Sequence, residues 1–366
     1  MRSVVGTSHA GQDGEESRRV RNFAFLALLL LFVQSAAYVK PADSTPVRSG
    51  IALTYANDKL MDGAGAQLQR IYGIYAVSRY LHVPYFHTPI KKIGYQGLAE
   101  LEKNAAAPHM EDKWNRVFTI PSDIELPKDT IVRFIDTPTA EDIAGYKSEA
   151  EKKNQFYLLQ IVLPYKITDK DPEIYRALRN VSPFHAARSN IFRIAIHVRR
   201  GDEFVIASDR MLPNSYYVAS TMKVVQALKQ LEIPFVCELY TEVASKPFVV
   251  TSQTQGIQGS VSKPVVIDPK MNHLEDFDVI PNLKKCINLD PIETLRGMAT
   301  ADVLIISRSS FSYLAALFNR GTVIYFPFWH KPLKDWLTSD INGNIPSNEL
   351  LERLKSWKAA REVMQH

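Results

Sequence analysis

Two arginines, a glycine and an aspartate stand together where an apolar run ends: Ile194-Ala195-Ile196-His197-Val198-Arg199-Arg200-Gly201-Asp202-Glu203. The branched residues Ile191, Ile194, Ile196 and Val198 read as a buried strand. Two guanidiniums at the carboxyl end of such a strand are costly unless an anion meets them. Arginine's planar fork matches phosphate oxygens, so phosphate is the natural partner. Gly201 lets the backbone turn where the strand stops, and open α/β sheets take ligands just beyond such strand ends. A second segment follows the same logic: Ala301-Asp302-Val303-Leu304-Ile305-Ile306 is a strand, and Ser309-Ser310 open the helix after it. Free N–H groups and hydroxyls at a helix start suit phosphate; the same serines could equally be plain N-caps. A third is Asp62-Gly63-Ala64-Gly65-Ala66-Gln67-Leu68, after the first strand. There Gly63 and Gly65 would let the backbone approach a ligand, with Gln67 beside it.

The run His197-Val198-Arg199-Arg200-Gly201-Asp202 resembles the signature of the GDP-fucose-dependent fucosyltransferase superfamily, which spans α-1,2-, α-1,6- and protein O-fucosyltransferases. Ser309-Ser310-Phe311-Ser312 is similar to its pyrophosphate-holding segment, and Asp62–Gln67 to its first glycine loop. The likeness covers roughly 190–329. It implies a GT-B type fold, α/β with two Rossmann-like domains facing across a cleft. It also implies an inverting glycosyltransferase that moves fucose from GDP-fucose to a glycan or glycoprotein hydroxyl. On this resemblance Arg199 holds the β-phosphate, His197 lies near the nucleotide, and Asp202 orients the arginines. Arg200 either adds a phosphate contact or braces Asp202. Ser309 and Ser310 hold the diphosphate, Gly63 and Gly65 border the donor, and Asp290 or Glu293 meets the guanine base. Glu203 and Asp209, in the loop after the arginines, are candidates for the base that takes the acceptor's proton. Ala66 stands where many α-1,2 members carry asparagine, which leaves acceptor and linkage open. No cofactor is expected: fixed arginines take the place of a divalent ion at the leaving diphosphate. Asp276-Phe277-Asp278 is formally an Asp-x-Asp pair, but it sits in an acidic loop and is not expected to bind metal. Two alternatives stand beside this reading: a transferase of the same fold with another donor, and a non-catalytic glycan-binding or scaffold protein.

The elements that must position these residues alternate between strand and helix. In the first half, strands are expected at 51–55, 83–87, 131–135 and 156–162, with helices at 66–80, 96–114 and 141–154. In the second half, strands are expected at 191–198, 235–240, 264–267, 302–306 and 323–326, with helices at 214–231, 291–299, 310–318 and 348–364. This divides the chain into an acceptor-side domain, 51–185, and a nucleotide-sugar-binding domain, 186–366.

The chain has 366 residues, 46% of them hydrophobic, ample for two cores. A net charge of +5 without a basic block interleaved with aromatics excludes a nucleic-acid partner. Two cysteines, Cys237 and Cys286, make no zinc cluster; they either pair or stay as separate buried thiols. Arg18, Arg19 and Arg21 precede an apolar stretch at 22–39. That order predicts a cytosolic tail (1–21), a signal-anchor and a stem (40–50), hence a single-pass type II protein of the Golgi or ER membrane. Cleavage of the segment as a signal peptide would instead give a secreted protein.

Overall fold

A computed structural model describes residues 49–363 apart from 61, 95–96, 99–109, 186–188, 207 and 251–263. The expected tail, anchor and most of the stem lie outside the described residues. Among the described residues no helix is long and apolar enough to cross a membrane.

The first half carries β1 (Gly50–Tyr55), β2 (Ile131–Ile135) and β3 (Phe156–Ile161). They form a parallel sheet in the order β1-β3-β2. Its helices are α1 (Ala64–Tyr80), α2 (Met110–Val117), α3 (Ala140–Lys153) and the single turn α4 (Tyr165–Thr168). Every residue of β1 after Gly50 is buried, as expected of a strand covered on both faces. A capping box at Thr139 starts α3, and Asn154, in the left-handed region at φ 50°, ends it.

The second half carries β4 (Phe192–His197), β5 (Phe235–Thr241), β6 (Phe248–Val250), β7 (Val265–Ile267), β8 (Leu283–Ile287), β9 (Val303–Ile305), β10 (Thr322–Tyr325) and β11 (Leu337–Thr338). Six of these make a second parallel sheet, β11-β10-β9-β4-β5-β8. Its helices are α5 (Glu203–Ile206), α6 (Asn214–Gln230), α7 (Pro291–Ala299), α8 (Ser310–Phe318) and α9 (Ser347–Glu362). The expected α/β class with two Rossmann-like sheets is therefore present.

Three expected elements differ. Residues 83–87 touch the first sheet through one bridge, Leu53 to Tyr85; Pro84 has no N–H to continue a ladder. The strand at 264–267 lies outside the main sheet: β7 pairs antiparallel with β6. A strand that was not expected, β8, lies parallel to β5 at the edge of the main sheet. The helix expected at 96–114 appears only from Met110 to Val117, much of the rest lying outside the described residues.

The sheets share a core. Ile51, Leu53 and Tyr72 of the first half belong to one buried cluster with Leu304, Ile306 and Phe318 of the second. The rings of Tyr72 on α1 and Phe318 on α8 meet edge to face at 4.8 Å. A second cluster fills the opposite face of the larger sheet, from Ile194 and Ile196 to Val224 and Leu228 of α6. Cys237 belongs to the second cluster and Cys286 to the first. Both thiols are free. Cys286 lies opposite Tyr240, an odd number of positions from Cys237, so their side chains leave opposite faces of the sheet. Burial pushes the Cys237 thiol up to about 12.

Candidate active site

The three sequence segments meet at the carboxyl edge of the larger sheet. β4 and β9 are parallel neighbours, so the loops that follow them, 198–202 and 306–309, leave the same edge. His197 Nδ1 lies 2.7 Å from Ser307 Oγ and ties the two loops together. The first turn of α1 comes against the first turn of α8: a Cβ at Gly65 would lie 3.0 Å from Phe311 Cα. Gly65 therefore serves helix-to-helix approach. Gly63 is the residue before α1, in extended conformation.

Arg199 is surrounded by carboxylates. It pairs with Asp202, its Nε donates to Glu203 Oε1 at 3.2 Å, and its Nη1 lies 3.8 Å from Glu242 Oε2. Asp202 is fully buried and Glu203 nearly so. Burial is the main cause that raises the Glu203 carboxyl above the ordinary range, with Arg199 opposing and Asp202 reinforcing it. Glu203 Oε2 has no hydrogen-bond partner among the described residues. Glu242 is raised too, again by burial first; its side chain is part-exposed overall, but Oε2 is sheltered. Gly201 has φ +64°, the left-handed conformation the turn requires.

Arg200 does not brace Asp202. Its guanidinium is buried and donates to the carbonyls of Arg199 and Leu212 and to Asn214 Oδ1. It also lies over the Tyr217 ring at 5.8 Å. With its donors so engaged, it ties the β4 loop to the start of α6. Asp290 caps α7, accepting from Ile292 N and Glu293 N, and pairs with Lys113 of α2. Glu293 pairs with Arg296 at the surface. Asp209 lies in a short 3-10 turn, where its carbonyl accepts from Arg308 Nη1 at 3.0 Å. Asp276 accepts from Asn214, and Asp278 pairs with Lys285.

Ser309 is the N-cap of α8: its Oγ accepts from Phe311 N at 3.3 Å. Ser310 Oγ lies instead 3.0 Å from His330 Nε2. Burial, and the Arg70 charge after it, lowers His330 to about 3. His197 is likewise lowered to about 3, by burial first and Arg199 second. Both rings are neutral at physiological pH. Gln67 donates to the carbonyl of Asp62 in its own loop and to that of Lys92.

Sequence reasoning passed over Arg70, Gln69 and Glu242. Arg70 is buried on α1 and pairs through both terminal nitrogens with Asp62. The only sequence signal for it was an arginine on the helix that follows the glycine loop. Trp329, 45% exposed, carries the Arg210 guanidinium 4.7 Å from its ring, next to His330. Two surface recesses, one lined by Asp112, Asn115, Arg116 and Thr119 and one by residues including Tyr80, Thr139 and Lys170, lie away from the motifs. The chemistry-bearing residues, and not the recesses, mark the site.

No family profile matches the sequence, and no curated protein matches it. Among solved structures, POFUT1 in complex with GDP is similar with a TM-score of 0.35 and 11% identity, over 76% of this chain and 97% of that one. POFUT1 in complex with GDP-fucose gives 0.36 and 10%, over 76% and 97%. The E. coli heptosyltransferase WaaC with ADP-2-deoxy-2-fluoro heptose gives 0.34 and 10%, over 85% and 99%. Scores and identities this low carry nothing about substrate, and the case for an activity rests on this chain's own residues.

Proposed function

We propose that the chain is an inverting glycosyltransferase that moves fucose from GDP-fucose to a glycan hydroxyl. One observation carries the reading. The arginine loop after β4, the serine loop after β9 and the glycine loop before α1 are far apart in sequence, yet they gather at one sheet edge. The first turns of α1 and α8 bring backbone N–H groups to that edge, where a diphosphate would be stabilised; Phe311 N is already taken by Ser309 Oγ. Arg199 meets the β-phosphate, and Ser309 and Ser310 hold the diphosphate. In the reaction the acceptor hydroxyl oxygen bonds to the sugar's anomeric carbon. The bond from that carbon to the β-phosphate oxygen breaks, leaving its electron pair on GDP, and the hydroxyl proton passes to Glu203. A buried carboxyl with a raised pKa and one unpartnered oxygen suits that role. Charge stabilisation by arginine, N–H groups and hydroxyls replaces a metal ion. The segment at 22–39 anchors the protein in a Golgi or ER membrane with the catalytic region in the lumen.

A second donor is favoured by one placement: Asp290 is taken up by its cap and by Lys113, and so is less suited to reading guanine. Release of nucleoside diphosphate by the purified protein, over a panel of GDP-, UDP- and ADP-sugars, tests both. GDP released from GDP-fucose alone supports the first reading, and another nucleotide sugar supports the second. No release from any would favour a non-catalytic protein.

A further inference from the structure

Ser310 is held by a buried polar chain that starts in the other half of the protein. Its Oγ lies 3.0 Å from His330 Nε2, and His330 Nδ1 lies 3.2 Å from Gln69 Nε2. Gln69 is on α1, His330 follows β10, and Ser310 is the first residue of α8. Gln69 is 0% exposed and His330 4%. The ring is fixed from several sides: the Tyr325 hydroxyl donates to the His330 carbonyl, and the Tyr313 ring lies 4.7 Å away.

The direction of this chain follows from its first member. An amide nitrogen can only donate, so His330 Nδ1 accepts. The imidazole proton then sits on Nε2 and is donated to Ser310 Oγ. Among the described residues Ser310 Oγ has no other partner, so its own O–H is left to donate elsewhere. We propose that Gln69 and His330 are positioning residues that make the Ser310 hydroxyl an obligate hydrogen-bond donor to a phosphate oxygen of the nucleotide substrate. This rests on the nucleotide-sugar reading above, and it makes the donor site depend on a side chain from the first half.

A serine bonded to a histidine also suggests a nucleophile, but the polarity here is opposite. A nucleophilic serine gives its proton to the imidazole, and a carboxylate behind the ring steadies the resulting cation. In this chain an amide donates to that nitrogen, and the Arg70 charge disfavours the cation.

Imidazole 15N shifts of the wild-type protein, with His330 identified by its loss in His330→Gln, test the polarity directly. Protonated Nε2, with no titration between pH 5 and 8, is expected; a proton on Nδ1 overturns the proposal. Gln69→Glu reverses the chain, because a carboxylate can only accept: the imidazole proton moves to Nδ1 and is donated to it, and Nε2 then accepts from Ser310. GDP affinity should fall about five- to tenfold, as for Ser310→Ala, and combining the two should cost nothing more. Additive losses, or unchanged affinity in Gln69→Glu beside a loss in Ser310→Ala, would overturn this inference and leave the nucleotide reading standing. Wild-type protein that binds no nucleoside diphosphate would remove both.

Discussion

Gly65→Ala places a methyl group where the two halves of the candidate site touch. Its Cβ would lie 3.0 Å from Phe311 Cα and 3.2 Å from Phe311 Cβ and Cδ2. Carbon atoms prefer about 3.5–4.0 Å, and a helix backbone cannot swing aside as a side-chain tip can. Overpacking of this kind costs about 1–3 kcal/mol. Alanine's better helix propensity returns at most about 1 kcal/mol, so the net loss is about 0–3 kcal/mol. Gly145→Ala is the control. Gly145 lies within α3 with nothing within 4 Å of an added Cβ, so there only the propensity gain of about 0.5–1 kcal/mol remains. Guanidinium titrations of the two variants should therefore move in opposite directions. GDP affinity, measured on folded protein, should fall for Gly65→Ala alone, because separating α1 from α8 spreads the N–H groups meant for the diphosphate. If Gly65→Ala stabilises as much as Gly145→Ala and binds GDP unchanged, the close approach of the two helices has no bearing on the site.

His197 and His330, held neutral down to about pH 3, take up protons readily only when unfolded. Their contribution is present above about pH 6.5 and is lost as pH falls toward 3, by about 1.4 kcal/mol per pH unit for each. Urea midpoints between pH 6 and 4 should fall less steeply in His330→Gln, and an unchanged slope would contradict the buried, neutral ring. Asp62→Asn leaves the buried Arg70 without its counter-charge; since Asp62 is about one-third exposed, a loss of about 1–3 kcal/mol is expected in the same titration. Glu203→Gln should abolish sugar transfer while GDP still binds, and a transfer rate near wild type would exclude Glu203 as the base.

Much of this arrangement was legible from residue order. The apolar runs of β4 and β9, and the turn residues after them, identified two strands with polar ends; that the two are neighbours sharing an edge comes from the structure. β8 was not visible because Lys284 and Lys285 interrupt its apolar pattern. An edge strand tolerates such lysines, which also protect it from pairing with other chains, so its sequence need not look like a central strand. The separate hairpin of β6 and β7 has the apolar character of a sheet strand and no local mark of its different pairing. At the site, the motif positions were readable but their partners were not. Gln69 and His330 are separated by 261 positions, and Glu242 reaches Arg199 only because β5 lies beside β4. Pairings of that kind arise from sheet order, to which local periodicity is blind. Gly65 shows the reverse case: the need for glycine was plain, but only the packing shows that α8 comes close to it.

The charges around Arg199 set a condition on donor binding. One guanidinium faces Asp202, Glu203 and Glu242, so with all three ionised the cluster is net negative, and a diphosphate would meet repulsion as well as the arginine. Glu203 and Glu242 are the two whose carboxyls burial already raises. A nearby anion raises a carboxyl further. Nucleotide binding should therefore draw a proton onto Glu242, while Glu203 stays ionised to receive the acceptor's proton, and so free Arg199 for the phosphate. The sign follows from linkage. Well below its free-state value Glu242 is already protonated and affinity is flat; above it binding requires proton uptake, and affinity falls as pH rises, by at most about tenfold per pH unit. Calorimetric titration with GDP in buffers of different ionisation heat should show net proton uptake wherever Glu242 is ionised in the free protein. Glu242→Gln should remove that uptake and flatten the pH dependence. GDP affinity that is constant from pH 5 to 8, with no proton taken up, would mean that the carboxylates stay ionised against Arg199 and that the phosphate is held by the helix starts alone.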